Sequence, residues 1–198
     1  MINECRYRNF IKPNRPYEIE GWFGDNDFDF YDLLFKTMNR GATFVEIGIW
    51  KGRSTIYFCE LLRLNYKPIL FECIDSFEGS VNEENLIKEA KEHNLYELFI
   101  STLKERGLLN YCNVHKQSSI ESCRQFVDKS VDVVFIDGSH DYDSVKEDLI
   151  NWIPKVKHGG TISGHDYNAW EGVTKAVNEV IGQPKIWNNS SCWFTLVG

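Results

Sequence analysis

Thr43-Phe44-Val45-Glu46-Ile47-Gly48-Ile49-Trp50-Lys51-Gly52-Arg53-Ser54-Thr55 is the stretch that decides the fold. Thr43 to Ile47 is a short run rich in β-branched and aromatic side chains, as a buried strand requires. Gly48 and Gly52 bracket a turn. From Arg53 the pattern becomes helical, with Ile56, Tyr57, Phe58, Leu61 and Leu62 on one broad apolar face. A strand that runs through a glycine turn into a helix start is a general device for holding a nucleotide. Glycine lets the backbone approach the ligand closely, and the free N–H groups of the first helical turn face it. The spacing is G-x-x-x-G, not the G-x-G-x-x-G of dinucleotide sites. The strand also ends with an acid, Glu46. A carboxylate there repels a pyrophosphate and suits a ligand with an ammonium group or sugar hydroxyls.

Moving outward, Ile69 to Ile74 is a second buried strand ending in Asp75. In nucleoside-binding α/β folds an acid at this place accepts hydrogen bonds from ribose hydroxyls. Tyr111 to His115 is a third strand, and Ser118-x-x-Glu121 is a capping box that opens a helix through Phe126. The turn from Lys116 to Ser119 falls where such folds meet an adenine ring, so Ser118 serves as a cap, a ligand or both. Val131 to Asp137 is the clearest strand. Its exit loop, Gly138 to Tyr142, leads into a helix stopped by Pro154. Gly159-Gly160 reads as a turn, and Thr161 to Gly164 as a fifth strand leaving through His165-Asp166-Tyr167. After a helix over Gly172 to Ile181, strands near Pro184 to Trp187 and Cys192 to Val197 form a hairpin. Strands alternating with helices imply an α/β protein with a parallel sheet and helices on both faces.

Residues 1–40 read as an N-terminal arm and helix, and 41–198 as the ligand-binding domain. Met1 to Glu20 is polar, with Pro13 and Pro16, and suits an arm or lid. Phe28 to Met38 is a helix. Trp22 and Phe23 before it form a hydrophobic staple or core plug, with a lid over the ligand as the alternative. The segment from Phe77 to Leu109 holds two helices, near Val81 to Glu92 and Leu95 to Arg106. They either shape a pocket or decorate the fold.

Composition narrows the function. At 198 residues the chain suits one domain with a single sizeable core. A net charge of −7, with no basic stripe, argues against nucleic acid and membrane surfaces as partners. No run approaches the roughly 20 apolar residues of a membrane span. Met1 to Phe10 is charged, which argues against a secretory signal. Six cysteines without C-x-x-C spacing signal neither a zinc site nor a redox pair. Reduced, mostly buried thiols in a cytoplasmic protein are the expectation.

Glu46-Ile-Gly-Ile-Trp-Lys-Gly-Arg-Ser54 resembles the first motif of class I S-adenosylmethionine-dependent methyltransferases. It is most similar to that of small-molecule O-methyltransferases, where an aromatic residue, here Trp50, often replaces the middle glycine. The likeness covers about residues 40–198. It implies a Rossmann-like, seven-stranded, mostly parallel sheet of order 3-2-1-4-5-7-6. In the cofactor site it implies, Glu46, Gly48, Gly52 and Ser54 cradle the amino acid part and ribose, and Asp75 holds the ribose hydroxyls. Trp50 walls the adenosine or packs, while Ser118 and Asp137 complete the site.

A second constellation lies at Asp137 and Asp166. Both end strands that should be neighbours, about 4.8 Å apart, so both carboxylates enter one crevice. Converging carboxylates share a proton or hold a cation, and Mg²⁺ is a natural occupant. Ile136-Asp137-Gly138-Ser139-His140-Asp141-Tyr142 and Gly164-His165-Asp166-Tyr167 resemble the paired motifs of a family that includes sugar and macrolide O-methyltransferases. In metal-dependent relatives the acids at Asp137 and Asp166 bind the metal, and the residue at His140 is the general base. A third ligand, Asp or Asn, usually follows the second acid. Here Tyr167 stands there, with Asn168 next.

The expected activity is therefore methyl transfer to a small-molecule hydroxyl, sugar-like or natural-product-like, assisted by a divalent metal. Trp22, Phe23 and Trp170 near the mouth suit a sugar or an aromatic ring equally. The plain alternative for His140 is a loop histidine bonded to Asp141. For His165 a structural role under the sheet edge is preferred. A non-catalytic cofactor-binding module is the runner-up, favoured by Tyr167. A nicotinamide-dependent oxidoreductase is third. A homo-oligomer is compatible with the sequence.

Overall fold

The structure is a computed structural model and describes residues 10–198. Most of the expected arm's first half, and Cys5, lie outside the described residues. The strands are β1 (Thr43–Ile47), β2 (Leu70–Asp75), β3 (Asn113–Lys116), β4 (Val131–Ile136), β5 (Val156–Gly164), β6 (Lys185–Ile186) and β7 (Trp193–Leu196). They form a seven-stranded sheet of order β3-β2-β1-β4-β5-β7-β6. β1 to β5 pair in parallel, and β7 runs antiparallel to β5 and β6.

The period-2 alternation of strand side chains builds two cores. On one face α1 (Asp25–Thr37), α2 (Arg53–Asn65) and α4 (Leu95–Glu105) set Tyr31, Phe58 and Phe99 in an aromatic core with Phe44, Phe71 and Phe135. On the other face are α5 (Ser119–Cys123), α6 (Tyr142–Trp152) and α7 (Glu171–Val180). They pack Leu149, Trp152 and Val177 with Val45, Ile47 and Val134. The intervening α3 (Glu84–His93) is polar over most of its length and buries Ala90 alone.

Two local readings are corrected. β5 starts at Val156, so Gly159-Gly160 lies within the strand and is not a turn between elements. The β4–β5 register shifts between Val131 and Val133, as a bulge requires. A Cβ on Gly160 would stand 2.7 Å from Val156 Cγ1 and 2.8 Å from the Asp132 carbonyl oxygen. Helix α5 stops at Cys123 instead of reaching Phe126.

Residues 10–24 lie along α1 and α2 and are strapped there by charge. Lys12 pairs with Asp29 at 2.5 Å, Arg15 with Asp29 at 2.7 Å, and Lys51 with Glu20 at 2.6 Å. Arg53 Nε donates to the Ile19 carbonyl at 2.6 Å. Phe23 is buried edge-on against Phe28, Tyr31 and Phe135, which is the plug. Trp22 instead is exposed and tilts over Trp50, centroids 5.9 Å apart. Adjacent residues thus point into the core and over the mouth of the site.

Candidate active site

The carboxyl ends of β1 to β5 open onto a cavity of about 440 Å³, where ligands bind in open α/β sheets. Gly48, Trp50, Ser54, Asp75, Ser118, Asp137, His140 and Asp166 all line it, whereas Glu46 and Gly52 do not.

The turn after β1 is held in left-handed conformation at Gly48 (φ 87°), Trp50 (φ 54°) and Gly52 (φ 89°). Asp75 staples it. Its Oδ2 accepts the Ile49 and Trp50 N–H groups at 2.6 and 2.9 Å, and its Oδ1 accepts the Phe77 N–H at 2.6 Å. Burial raises the Asp75 pKa, and these three donors oppose the rise. Asp75 therefore faces the cavity and also shapes the turn. The Cβ position of Gly52 points at the Phe99 ring, so this glycine serves packing.

Glu46 requires a correction. Strand alternation places it on the face of Phe44, in the aromatic core, where it is fully buried. Tyr31 Oη donates to its Oε1 at 2.7 Å and Thr55 Oγ1 to its Oε2 at 2.6 Å. Burial pushes its pKa up to about 7 against these hydroxyl donors. Glu46 ties α1, β1 and α2 together beneath the turn and does not contact the ligand space. The Ser118 hydroxyl is engaged in the expected capping box, accepting the Glu121 N–H at 3.2 Å.

At the other end Asp137 and Asp166 meet at His165, which is 7% exposed. Its Nδ1 lies 3.5 Å from Asp137 Oδ1 and 3.3 Å from Asp166 Oδ2. Its Nε2 lies 3.4 Å from Asp27 Oδ2 and 2.9 Å from Ser191 Oγ. Burial opposes a charge on this ring, but the carboxylates prevail and hold its pKa well above the ordinary value. Burial raises the Asp166 carboxyl, and the two histidines outweigh it, leaving its pKa far below the carboxylate range. One ligand atom each from Asp137, His165 and Asp166 lie mutually within 4.8 Å.

His140 is clamped between acids. Nδ1 lies 2.7 Å from Glu83 Oε1 and Nε2 3.1 Å from Asp166 Oδ2. Its ring stacks on Trp170, centroids 4.4 Å apart and 9° from parallel. Burial lowers its pKa, but Asp166 and Glu83 overcome this and raise it. The surrounding acids thus bias this imidazole toward its charged form. It does not bond Asp141, whose carboxylate instead caps α6 through the Ser144 N–H at 3.1 Å. Tyr167 turns its hydroxyl to Asn178 at 2.8 Å, outside the acid cluster.

Sequence reasoning missed Asp27 and Glu83, which are distant in the chain and carry no local motif. It underrated His165, although its position beside Asp166 in a strand-exit loop was a usable signal. It gave no role to Asp148, a buried acid on α6 that lines the cavity.

A sheet of this order, with a glycine turn after β1 and acids at the ends of β2, β4 and β5, defines the class I S-adenosylmethionine-dependent methyltransferase fold. The chain belongs to the methyltransferase domain family, whose profile matches residues 45–167, more than half its length. Among solved structures it resembles the O-methyltransferase NovP, with TM-score 0.64 and 18% identity over 87% of this chain and 80% of that one. A TDP-rhamnose 3'-O-methyltransferase of calicheamicin biosynthesis aligns with TM-score 0.57 and 16% identity, covering 87% and 79%. An rRNA methylase from Streptococcus thermophilus aligns with TM-score 0.56 and 13% identity, covering 88% and 96%. An uncharacterized protein of Acanthamoeba polyphaga mimivirus is 26% identical over all of this chain and 86% of its own length. An uncharacterized Sinorhizobium fredii protein is 24% identical over 67% of this chain, which spans only 14% of that protein.

Proposed function

We propose that the chain transfers the methyl group of S-adenosylmethionine to a hydroxyl of a small molecule, assisted by a divalent cation. The observation that carries this is the convergence of Asp137, Asp166 and His140 on one cavity with the glycine turn and Asp75. Gly48, Trp50, Ser54 and Asp75 are on the donor side. Trp22, Glu83, His140 and Trp170 are on the acceptor side. Methyl transfer is an in-line displacement, so holding both partners on one frame supplies much of the acceleration.

Two carboxylates and an imidazole fit a divalent cation. Asp137, Asp166 and, once its Nδ1 proton is displaced, His165 would hold it, and when bound it would lower the acceptor hydroxyl's pKa and orient it. The imidazole nitrogen in this set suits Mn²⁺, Fe²⁺ or Zn²⁺ better than Mg²⁺, which prefers oxygen ligands. His140 Nε2 takes the acceptor's proton once its own has left, with Trp170 fixing the ring plane and Glu83 the Nδ1 side.

The charges of the cavity favour an acceptor without phosphate. Glu20, Asp75, Glu83, Asp137, Glu147, Asp148 and Asp166 line it, against Arg53 and the two paired histidines. Arg53 spends its guanidinium on the carbonyls of Ile19, Phe23 and Tyr17. The same balance argues against RNA as acceptor. Burial of Glu46 removes its repulsion of pyrophosphate as an argument against a nicotinamide cofactor, and family membership takes its place.

Calorimetric titration with S-adenosylhomocysteine should show micromolar binding, unchanged by excess NAD. Failure to bind would overturn the cofactor reading. Binding without turnover on any hydroxylated acceptor, with or without divalent ions, would favour the binding-module reading that Tyr167 supports. In that reading the fold has kept its cofactor pocket and lost its chemistry. No helix among the described residues is long and apolar enough to cross a membrane.

A further inference from the structure

We propose that Asp148 reads the adenine ring of the cofactor by accepting a hydrogen bond from its exocyclic 6-amino group. The assignment rests on the cavity holding S-adenosylmethionine. Asp148 sits on the second turn of α6, where it faces α5 and is only 8% exposed, yet it lines the cavity beside Ser118, Ser119 and Ile120. Going outward along the sheet from β1, the turn and Asp75 come first. The residues after β3 come next, so an adenosine whose ribose lies at Asp75 places its base against α5 and α6.

Among the described residues the carboxylate has one donor, Ser119. Trp152 Nε1–H donates to Ser119 Oγ at 2.7 Å, which leaves the Ser119 hydroxyl proton for Asp148. The charged groups acting on it, Glu147 and Asp141, are both acids. Burial pushes its pKa up to about 7, with Ser119 opposing and the two acids adding. A buried carboxylate with a single hydroxyl donor has acceptor capacity to spare, and leaving it unused is costly. The amino group of adenine is a neutral donor of the right polarity. A 6-oxo purine would set a carbonyl oxygen against the carboxylate. Ser118, with its hydroxyl committed to the capping box, does not compete for this contact.

The test compares S-adenosylhomocysteine with S-inosylhomocysteine, which carries a 6-oxo group, by calorimetry at about pH 9, where Asp148 is ionised, on the wild-type chain and D148N. Hydrogen bonds to charged groups predict at least about tenfold weaker binding of the inosyl compound by wild type. D148N, whose amide can donate to a 6-oxo group, should narrow or invert that ratio while melting no lower than wild type. D148L should weaken S-adenosylhomocysteine and leave the inosyl compound nearly unchanged. A wild type that does not discriminate, or a D148N that discriminates as well as wild type, would overturn the assignment. If wild type binds neither compound, the cofactor reading fails, and this assignment fails with it.

Discussion

Replacing Gly48 by Ala probes the joint between the two halves of the site. The residue sits at φ 87°, and an added Cβ would stand 2.5 Å from the Asp137 carbonyl carbon and 2.8 Å from Gly138 Cα, closer still to the Asp137 oxygen. Those atoms are backbone, and β1 is tied to β2 by Gly48 N–H to the Ile74 carbonyl at 2.9 Å and to β4 by Asp137 N–H to the Ile47 carbonyl at 2.8 Å. The positive φ alone costs an alanine about 1 kcal/mol. Overpacking against atoms that have no rotamer to change adds about 3 kcal/mol, the upper end for core insertions. Gly41 provides the control, with φ 79° and nothing within 4 Å of its Cβ position. At about 2–4 °C per kcal/mol for a chain of this size, G41A should lower the melting temperature by about 2–4 °C and G48A by about 8–16 °C. G48A should also lose at least about tenfold in S-adenosylhomocysteine affinity, because the wedge moves Asp137. A melting temperature for G48A within about 2 °C of that of G41A would refute the close-approach argument.

Three further outcomes follow from the site. E46Q should change the pH dependence of stability. A buried acid whose pKa rises from 4.5 to about 7 contributes stability below about pH 4.5 that is lost as pH rises toward 7. That is about 3 kcal/mol, so thermal melts of E46Q should gain on wild type between pH 5 and pH 8, and parallel curves would contradict it. D75A removes the acceptor for three backbone N–H groups, so it should weaken S-adenosylhomocysteine more than tenfold. D75N, which keeps one acceptor oxygen, should fall between D75A and wild type, and equal losses would argue that Asp75 acts only through its charge. H140A should cut methyl transfer by about 10²-fold or more while leaving cofactor affinity within twofold, and chelation should mimic it if the acids hold a cation. Full turnover in H140A would remove this histidine from the chemistry.

The fold was legible because its signals are local. A β-branched run, a glycine turn and a helical period sit together in residues 43–65, and continuous apolar runs mark strands buried on both faces. The bulge at Gly159-Gly160 was not legible, because two glycines look alike in a turn and in a strand that must pass close to Asp132. Glu46 was misplaced by reading its charge and ignoring its parity with Phe44. Two-residue alternation alone would have pointed it into the core. Asp137, Asp166 and His140 were legible as strand-exit residues. Glu83, which pairs with His140, and Asp27, which pairs with His165, were not, since pairing over such distances in the chain leaves no trace in spacing. The protonation bias of His140 comes from Asp166 and Glu83 together, and the Glu83 share was lost with that partner.

The near contact between Gly48 and the Asp137–Gly138 backbone has a consequence for how such a protein diversifies. The turn on the donor side rests against main-chain atoms of two central strands, which a substitution displaces only at a large cost in stability. The groups assigned under the proposed function to the acceptor side come from the segment 20–23, from Glu83 at the start of α3 and from Trp170 before α7, three loops outside that frame. Those loops can drift, lengthen or exchange aromatic and charged residues while the methyl group stays where it was. Under the proposed function, new acceptors are reached by altering these margins while the glycine turn and its contact with β4 stay unchanged.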